Sequence, residues 1–319
     1  MVFLTFPLSA SAQAYGQEPL AHTYSIVAYD PETGDMGVAV QSHWFAVGTI
    51  VAWGEAGVGV VATQSFVNPA FGPDGLAMLK SGLSAQRVLD SLIASDPGEA
   101  VRQLAVLNPS GAAAHTGGSC IRFAGHIVKD HVSVQANMML SEEVPAAMMM
   151  AYELAEGSLA ERLMAALEGA QAAGGDIRGK QSAAILVVSA ESTGKSWVDR
   201  KVDLRIDDSE DPLKELRRLL TVHRAYEHMN AGDLAVEVED YKTAMEEYRA
   251  AMNLYDDNVE MAYWTAVTLA NLGRMEEAKP LFKKAFSEND NWRELTRRIS
   301  ENKILAADAV RLKEILEIE

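Results

Sequence analysis

The sequence predicts an α+β domain, its strands grouped in hairpins and its helices in pairs, followed by an all-α repeat domain. Three observations carry this reading. Strand-forming runs rich in Val, Ile and Thr recur from residue 23 to residue 206 and are twice interrupted by a pair of helical segments. Helices that arrive in pairs, rather than between successive strands, favour two sheets with a helical layer on each outer face over a parallel sheet. The composition then shifts. Residues 1–207 carry 33 charged side chains, whereas the shorter stretch 208–319 carries 40, and beyond the shift two segments match at a spacing of 34 residues.

Taken in order, Met1 to Leu8 is apolar, Ser9 to Ala14 offers small-residue cleavage patterns, and Tyr15 to Ala21 is a polar spacer. This resembles a secretory signal without its basic start, so residues 1–22 are read as a leader and a periplasmic or secreted location is expected. Thr23 to Asp30 and Met36 to Val40 read as a hairpin around the turn residues Pro31 to Asp35. Gly48 to Trp53 and Gly57 to Thr63 read as two further strands. Gly75 to Lys80 and Ser84 to Ala94 read as helices, with Ser84 as N-cap. Val101 to Leu107 and Ala112 to Thr116 form a second hairpin, and His131 to Met138 another strand. The helices Val144 to Leu154 and Ser158 to Ala173 follow, then the strands Ser182 to Val188 and Val202 to Ile206. Asp207 to Pro212 reads as a linker turn, giving domains at 23–212 and 213–319.

In the second domain Ala244, Tyr248 and Ala251 recur as Ala278, Phe282 and Ala285, each 34 positions on. A small residue lets antiparallel helices approach, and the aromatic residue fills the groove beside it. Period and positions resemble the tetratricopeptide repeat. An amphipathic segment, about Trp292 to Leu316, is expected to cap the stack. Such a module binds a protein partner and is not a catalyst.

Composition excludes several functions. A net charge of −17 argues against nucleic acid or an anionic membrane surface as partner. A single cysteine, Cys120, rules out an internal disulfide and a multi-cysteine zinc site. After the leader, no stretch reaches the roughly 18 apolar residues of a membrane helix. Gly174 to Lys180 has P-loop spacing, but a helix precedes it and a strand follows, the reverse of what a phosphate site needs. Ser192 to Ser196 fails because Ser189 stands where glycine is required. The histidines lack the helical spacing of a zinc hydrolase. No metal and no cofactor are expected.

Thr23 opens its strand directly behind the leader. Freed at the N-terminus, it would carry an α-amino group with a pKa of about 7.7–8.0, able to take the proton of its own hydroxyl. On the hairpin alone, an ordinary strand-opening threonine is the stronger reading. The motifs Gln41-Ser-His-Trp-Phe-Ala-Val-Gly48, Gly57 to Ser65, Ala114-His-Thr-Gly117, Ser133 to Met138, Gly174 to Ala184 and Val202 to Asp208 carry more weight. By these the chain, from Thr23 to about Arg224, resembles the domain-of-unknown-function 1028 family, which is similar in fold to the N-terminal nucleophile (Ntn) hydrolases. The resemblance implies a four-layer αββα sandwich with Thr23 at the nucleophile position. Ser25, on the same sheet face, would assist proton transfer or merely pack. Ser42 and His43 follow the second strand; many members carry lysine at the position of His43, so a lysine's role there does not transfer directly. Gln135 and Asn137 are candidate oxyanion donors. Gln64, His115, Asp176 and Arg178 are candidate substrate contacts, Asp176 and Arg178 being equally readable as a turn salt bridge.

The first functional reading is therefore an amidohydrolase with Thr23 as nucleophile, acting on a small amide, peptide or cell-wall-type substrate. The alternative is a non-catalytic protein that keeps the fold and binds a ligand or partner, or serves as a scaffold. Candidate partners are the substrate, a protein docked on the repeats, and a second copy of the chain in a homo-oligomer.

Overall fold

A computed structural model describes residues 20–318. The leader read at residues 1–22 lies, for its first 19 residues, outside the described residues. The N-terminal region is α+β with two antiparallel sheets, and the C-terminal region is all helical. The chain separates into two compact units, one running to Leu220 and the other from Thr221.

In the first unit the strands are β1 (Leu20–Ala21), β2 (Thr23–Tyr29), β3 (Met36–Ser42), β4 (Ala52–Glu55), β5 (Gly59–Phe66), β6 (Arg102–Asn108), β7 (Gly111–Thr116), β8 (Gly125–Lys129), β9 (Val132–Ala136), β10 (Ser182–Val188) and β11 (Arg200–Ile206). One sheet has the order β1-β5-β6-β7, with β4 also on β5; the other runs β11-β10-β3-β2-β9-β8. Alternation along each strand sorts its side chains between two cores. In β2, Tyr24, Ile26 and Ala28 join the cluster under the helices α3 (Val144–Leu154) and α4 (Leu159–Ala172), while Val27 faces the other sheet. In β5, Val60 and Ala62 meet Val38, Val40 and Leu186 between the sheets. Val61 instead packs under α1 (Phe71–Lys80) and α2 (Ala85–Ala94), with Leu76, Val88 and Leu92.

Local signals explain the helix starts. The Ser84 hydroxyl accepts from Arg87 N, and Ser158 forms a reciprocal capping box with Glu161 at the start of α4. The expected strand Gly48 to Trp53 is a correction. Residues Val47–Thr49 form a 3₁₀ turn after Ala46, whose φ is 52°, and the strand begins at Ala52. Tertiary contacts override the apolar run there: Val47 N donates to Ser182 Oγ, and Gly48 packs on the Ala184 methyl. The turn at Asp207 to Asp211 is fastened to the first unit, since Asp207 O accepts from Ala46 N and Ser209 N donates to Gln181 O.

After a short turn α5 (Ser196–Asp199), the helices are α6 (Pro212–Glu237), α7 (Tyr241–Leu254), α8 (Val259–Asn271), α9 (Met275–Glu288), α10 (Asn291–Glu301) and α11 (Ala309–Leu316). All six residues of the 34-residue match, from Ala244 to Ala285, are buried in the second unit's core. The segment expected as one cap is two helices, because Asp308 caps a fresh start by accepting from Val310 N and Arg311 N. Among the described residues no helix is long and apolar enough to cross a membrane.

Gly232, in α6, shows how close the helices come. A Cβ there would lie 2.4 Å from the Tyr248 ring. Gly232→Ala gains about 1 kcal/mol of helix propensity, but overpacking costs about 1–3 kcal/mol. The expected result is a net loss, read as a lower Tm of the helical unit. A raised Tm would show that Tyr248 can move aside.

Candidate active site

The start of β2 sits at the middle of a buried polar cluster. β2 pairs with β3 so that Thr23 lies opposite Ser42, and with β9 so that Ser25 lies opposite Gln135. Thr23, Ser25, Ser42, Gln64, Gln135 and Asn137 are all fully buried. Polar groups survive such burial only when hydrogen-bonded, and these are. Thr23 Oγ1 donates to Ala21 O at 2.7 Å. The Thr23 carbonyl accepts from Asn137 N at 3.1 Å and from the Gln64 and Asn137 side-chain amides at 3.3 Å each. Ser25 Oγ donates to Gln64 Oε1 and accepts from Gln135 Nε2, both at 2.6 Å.

Gln103, which sequence reasoning missed, joins the two sheets. Its Oε1 accepts from Gln64 Nε2 at 2.6 Å and from Asn137 Nδ2 at 2.8 Å, and its Nε2 donates to Thr116 Oγ1 at 2.8 Å. Its one available signal was a glutamine inside an otherwise apolar strand.

A second arm comes from the glycine-rich turn after α4. Gly174, Gly175 and Gly179 have φ of 117°, 60° and 113°, left-handed conformations that glycine adopts without the steric cost a Cβ would bring. They fold Asp176 inward, where its carboxylate takes Arg178 Nε at 3.0 Å and Nη2 at 2.6 Å, a bidentate pair. Asp176 also accepts from His43 N at 3.3 Å. Arg178, so held, donates from Nη2 to the carbonyl of His22 at 2.6 Å, and Ser42 Oγ donates to the same oxygen at 2.6 Å.

His22 is the other residue missed. It is buried, its Nδ1 lies 2.7 Å from Asn137 Oδ1, and its ring meets Phe66 edge-on at 5.4 Å. Burial holds its pKa below the ordinary 6.5, against the opposing bond to Asn137. The unfolded chain therefore takes up the proton first as pH falls. The contribution of His22 to stability is complete above about 6.5 and is lost as pH drops toward its lower folded value. The uncut Thr23→Ala chain should lose stability across that window, and Thr23→Ala with His22→Phe should lose less. Equal losses in urea titrations would refute this.

Two predicted residues stand apart. The His43 ring is exposed, with Nδ1 3.4 Å from Lys180 O, and only its backbone N–H reaches Asp176. His115 Nε2 pairs with Glu99 O at 3.0 Å, while its neighbour Thr116 enters the network. Gln135 and Asn137 direct their amides to Ser25, Thr23 O and Gln103, so the donors on the His22 carbonyl are Ser42 and Arg178 instead. Among the described residues no cluster of three or more His, Cys, Asp or Glu has the arrangement of a metal site.

The chain is similar to protein SPO2555 from Silicibacter pomeroyi, a crystal structure assigned to the DUF1028 family model. The two share 31% identity, with a TM-score of 0.57, over 63% of this chain and 88% of that one. No curated protein matches the chain. The model of the family of unknown function DUF1028 matches residues 23–216. Its first matched residue is the buried threonine of β2, and the chain is a member of that family.

Proposed function

We propose that the protein is an amidohydrolase of the N-terminal nucleophile type, made active when its own His22–Thr23 bond is cut. The supporting observation is the His22 carbonyl, which holds two donors, Ser42 Oγ and Arg178 Nη2, at 2.6 Å each. Donors so placed stabilise the charge that develops on this oxygen when its carbon is attacked. In the first step Thr23 Oγ1 attacks that carbon. A C–O bond forms, the His22–Thr23 C–N bond breaks, and the hydroxyl proton goes to the Thr23 nitrogen. Water then hydrolyses the ester, leaving a His22 carboxylate and a free Thr23 amine. In turnover this amine takes the hydroxyl proton, Thr23 attacks the substrate amide, and water resolves the acyl intermediate.

In this reading the first unit is an αββα sandwich, supported by helix pairs on the outer faces of both sheets. The helical unit is a tetratricopeptide-like module for a protein partner, and the protein works outside the cytoplasm on a small amide, peptide or cell-wall-type substrate. That unit holds a cleft of about 390 Å³, lined by Asp233, Tyr248, Trp264 and Asn271 among others, wide enough for one inserted side chain of such a partner.

The competing reading, a binding protein without catalysis, draws on the complete burial of Thr23 in the intact chain. A panel of small amides, dipeptides and muropeptide amides separates the two. The proposal expects wild type to hydrolyse at least one, and Thr23→Ala none. Equal rates in both proteins would rule out Thr23 as nucleophile.

A further inference from the structure

The residues just ahead of Thr23 are built into the fold as a strand. Leu20 and Ala21 form β1, paired antiparallel with β5 so that Leu20 lies opposite Phe66 and Ala21 opposite Ser65. β4 pairs with β5 only as far as Ala62, with Thr63 N donating to Val51 O beyond it, and β1 pairs with the last two residues of β5, Ser65 and Phe66. Ser65 is held with φ at 75°, a costly conformation for a residue with a Cβ. The next side chain, His22, is 2% exposed.

The pocket around His22 has a definite hydrogen-bond sense. Asn137 Nδ2 already donates to Thr23 O and Gln103 Oε1. Asn137 Oδ1 therefore faces His22 as an acceptor, and the imidazole meets it with Nδ1–H. The edge-on contact with Phe66 leaves room for a flat ring. A carboxylate in that place would meet the Asn137 oxygen with like polarity, and an apolar ring would leave that oxygen without its donor.

We propose that residues 20–22 prefigure the substrate. Once cut and released, they vacate a groove that takes an extended peptide as an added strand on β5, with a hydrogen-bond-donating ring, best histidine, in the Asn137–Phe66 pocket on the acyl side of the bond cleaved. This rests on the Thr23 reading above and names its substrate class: a peptide read by its backbone at Ser65 and Phe66 and by one donor-bearing side chain.

The test uses wild-type protein whose N-terminus has first been sequenced. Its substrates are acetyl-Leu-Ala-His-, acetyl-Leu-Ala-Phe- and acetyl-Leu-Ala-Glu-aminomethylcoumarin. The His peptide is expected to exceed the Phe peptide by about tenfold in kcat/KM, and the Glu peptide by about 100-fold. Asn137→Leu should remove the preference for His over Phe. A purely structural role for Asn137 would instead lower all three rates together and keep their ratio. If Thr23 is N-terminal and other amides are hydrolysed, but these peptides are refused or not ranked, the substrate class is wrong and the nucleophile reading stands. If the sequenced chain still carries His22, the groove is never vacated and both fail.

Discussion

Thr23→Ala is expected to leave the chain joined through His22 and to lower amide turnover by on the order of 10⁴-fold or more. The side chain is the attacking group both in self-cleavage and in turnover, so nothing else in the cluster replaces it. The cost to stability is separate and smaller. Thr23 is fully buried, and its hydroxyl donates to Ala21 O. Losing that bond and a methyl should cost about 1–3 kcal/mol, which a folded domain survives. Thr23→Ser keeps hydroxyl and amine and should retain measurable cleavage. A Thr23→Ala protein that is cut at the same bond would move the attack to another group. His43 would then be the next base to test, through His43→Gln, although its ring is exposed and faces Lys180 O.

The second large effect belongs to Arg178. Its Nη2 holds the His22 carbonyl, and removing one such donor typically lowers a rate by about 10²–10³-fold. Arg178→Met should slow self-cleavage by that amount, measured as the half-life of intact chain by mass spectrometry. Asp176→Asn should act in the same direction, because the bidentate pair fixes the guanidinium. The Asp176 effect is one of positioning, so Arg178→Met and the double variant should be equally slow. Additive losses would mean that Asp176 contributes in another way. Ser42→Ala, which removes the other donor, should fall in the same range.

Much of the architecture was legible in the sequence because its signals are local. The Thr23 hairpin, the Ser84 cap and the two helix pairs depend on alternation, capping and periodicity within short windows. Where long-range pairing decides, sequence failed. β1 is two residues long and extended only through β5, so no local pattern marks it. β8 buries none of its five residues, lacks the apolar alternation of its neighbours and was not expected as a strand. Gly48 to Trp53 has strand composition, yet contacts with Ser182 and Ala184 impose a turn.

The candidate site divides in the same way. Ser25, Gln64, Gln135 and Asn137 were named singly, and the fold joins them into one network. Gln103 and His22 were missed because their importance lies in partners 34 and 115 residues away. The glycine-rich turn was legible as a turn, but the reach of Arg178 to His22 O crosses 156 residues and appears only in three dimensions.

The central claim is that the bond between His22 and Thr23 is the first substrate. N-terminal sequencing of the purified wild-type protein, produced in its native host, tests it most directly. The account predicts a chain beginning Thr-Tyr-Ser-Ile, with Arg178→Met accumulating the uncut form. A fully active wild-type protein that still begins at or before His22 would contradict it.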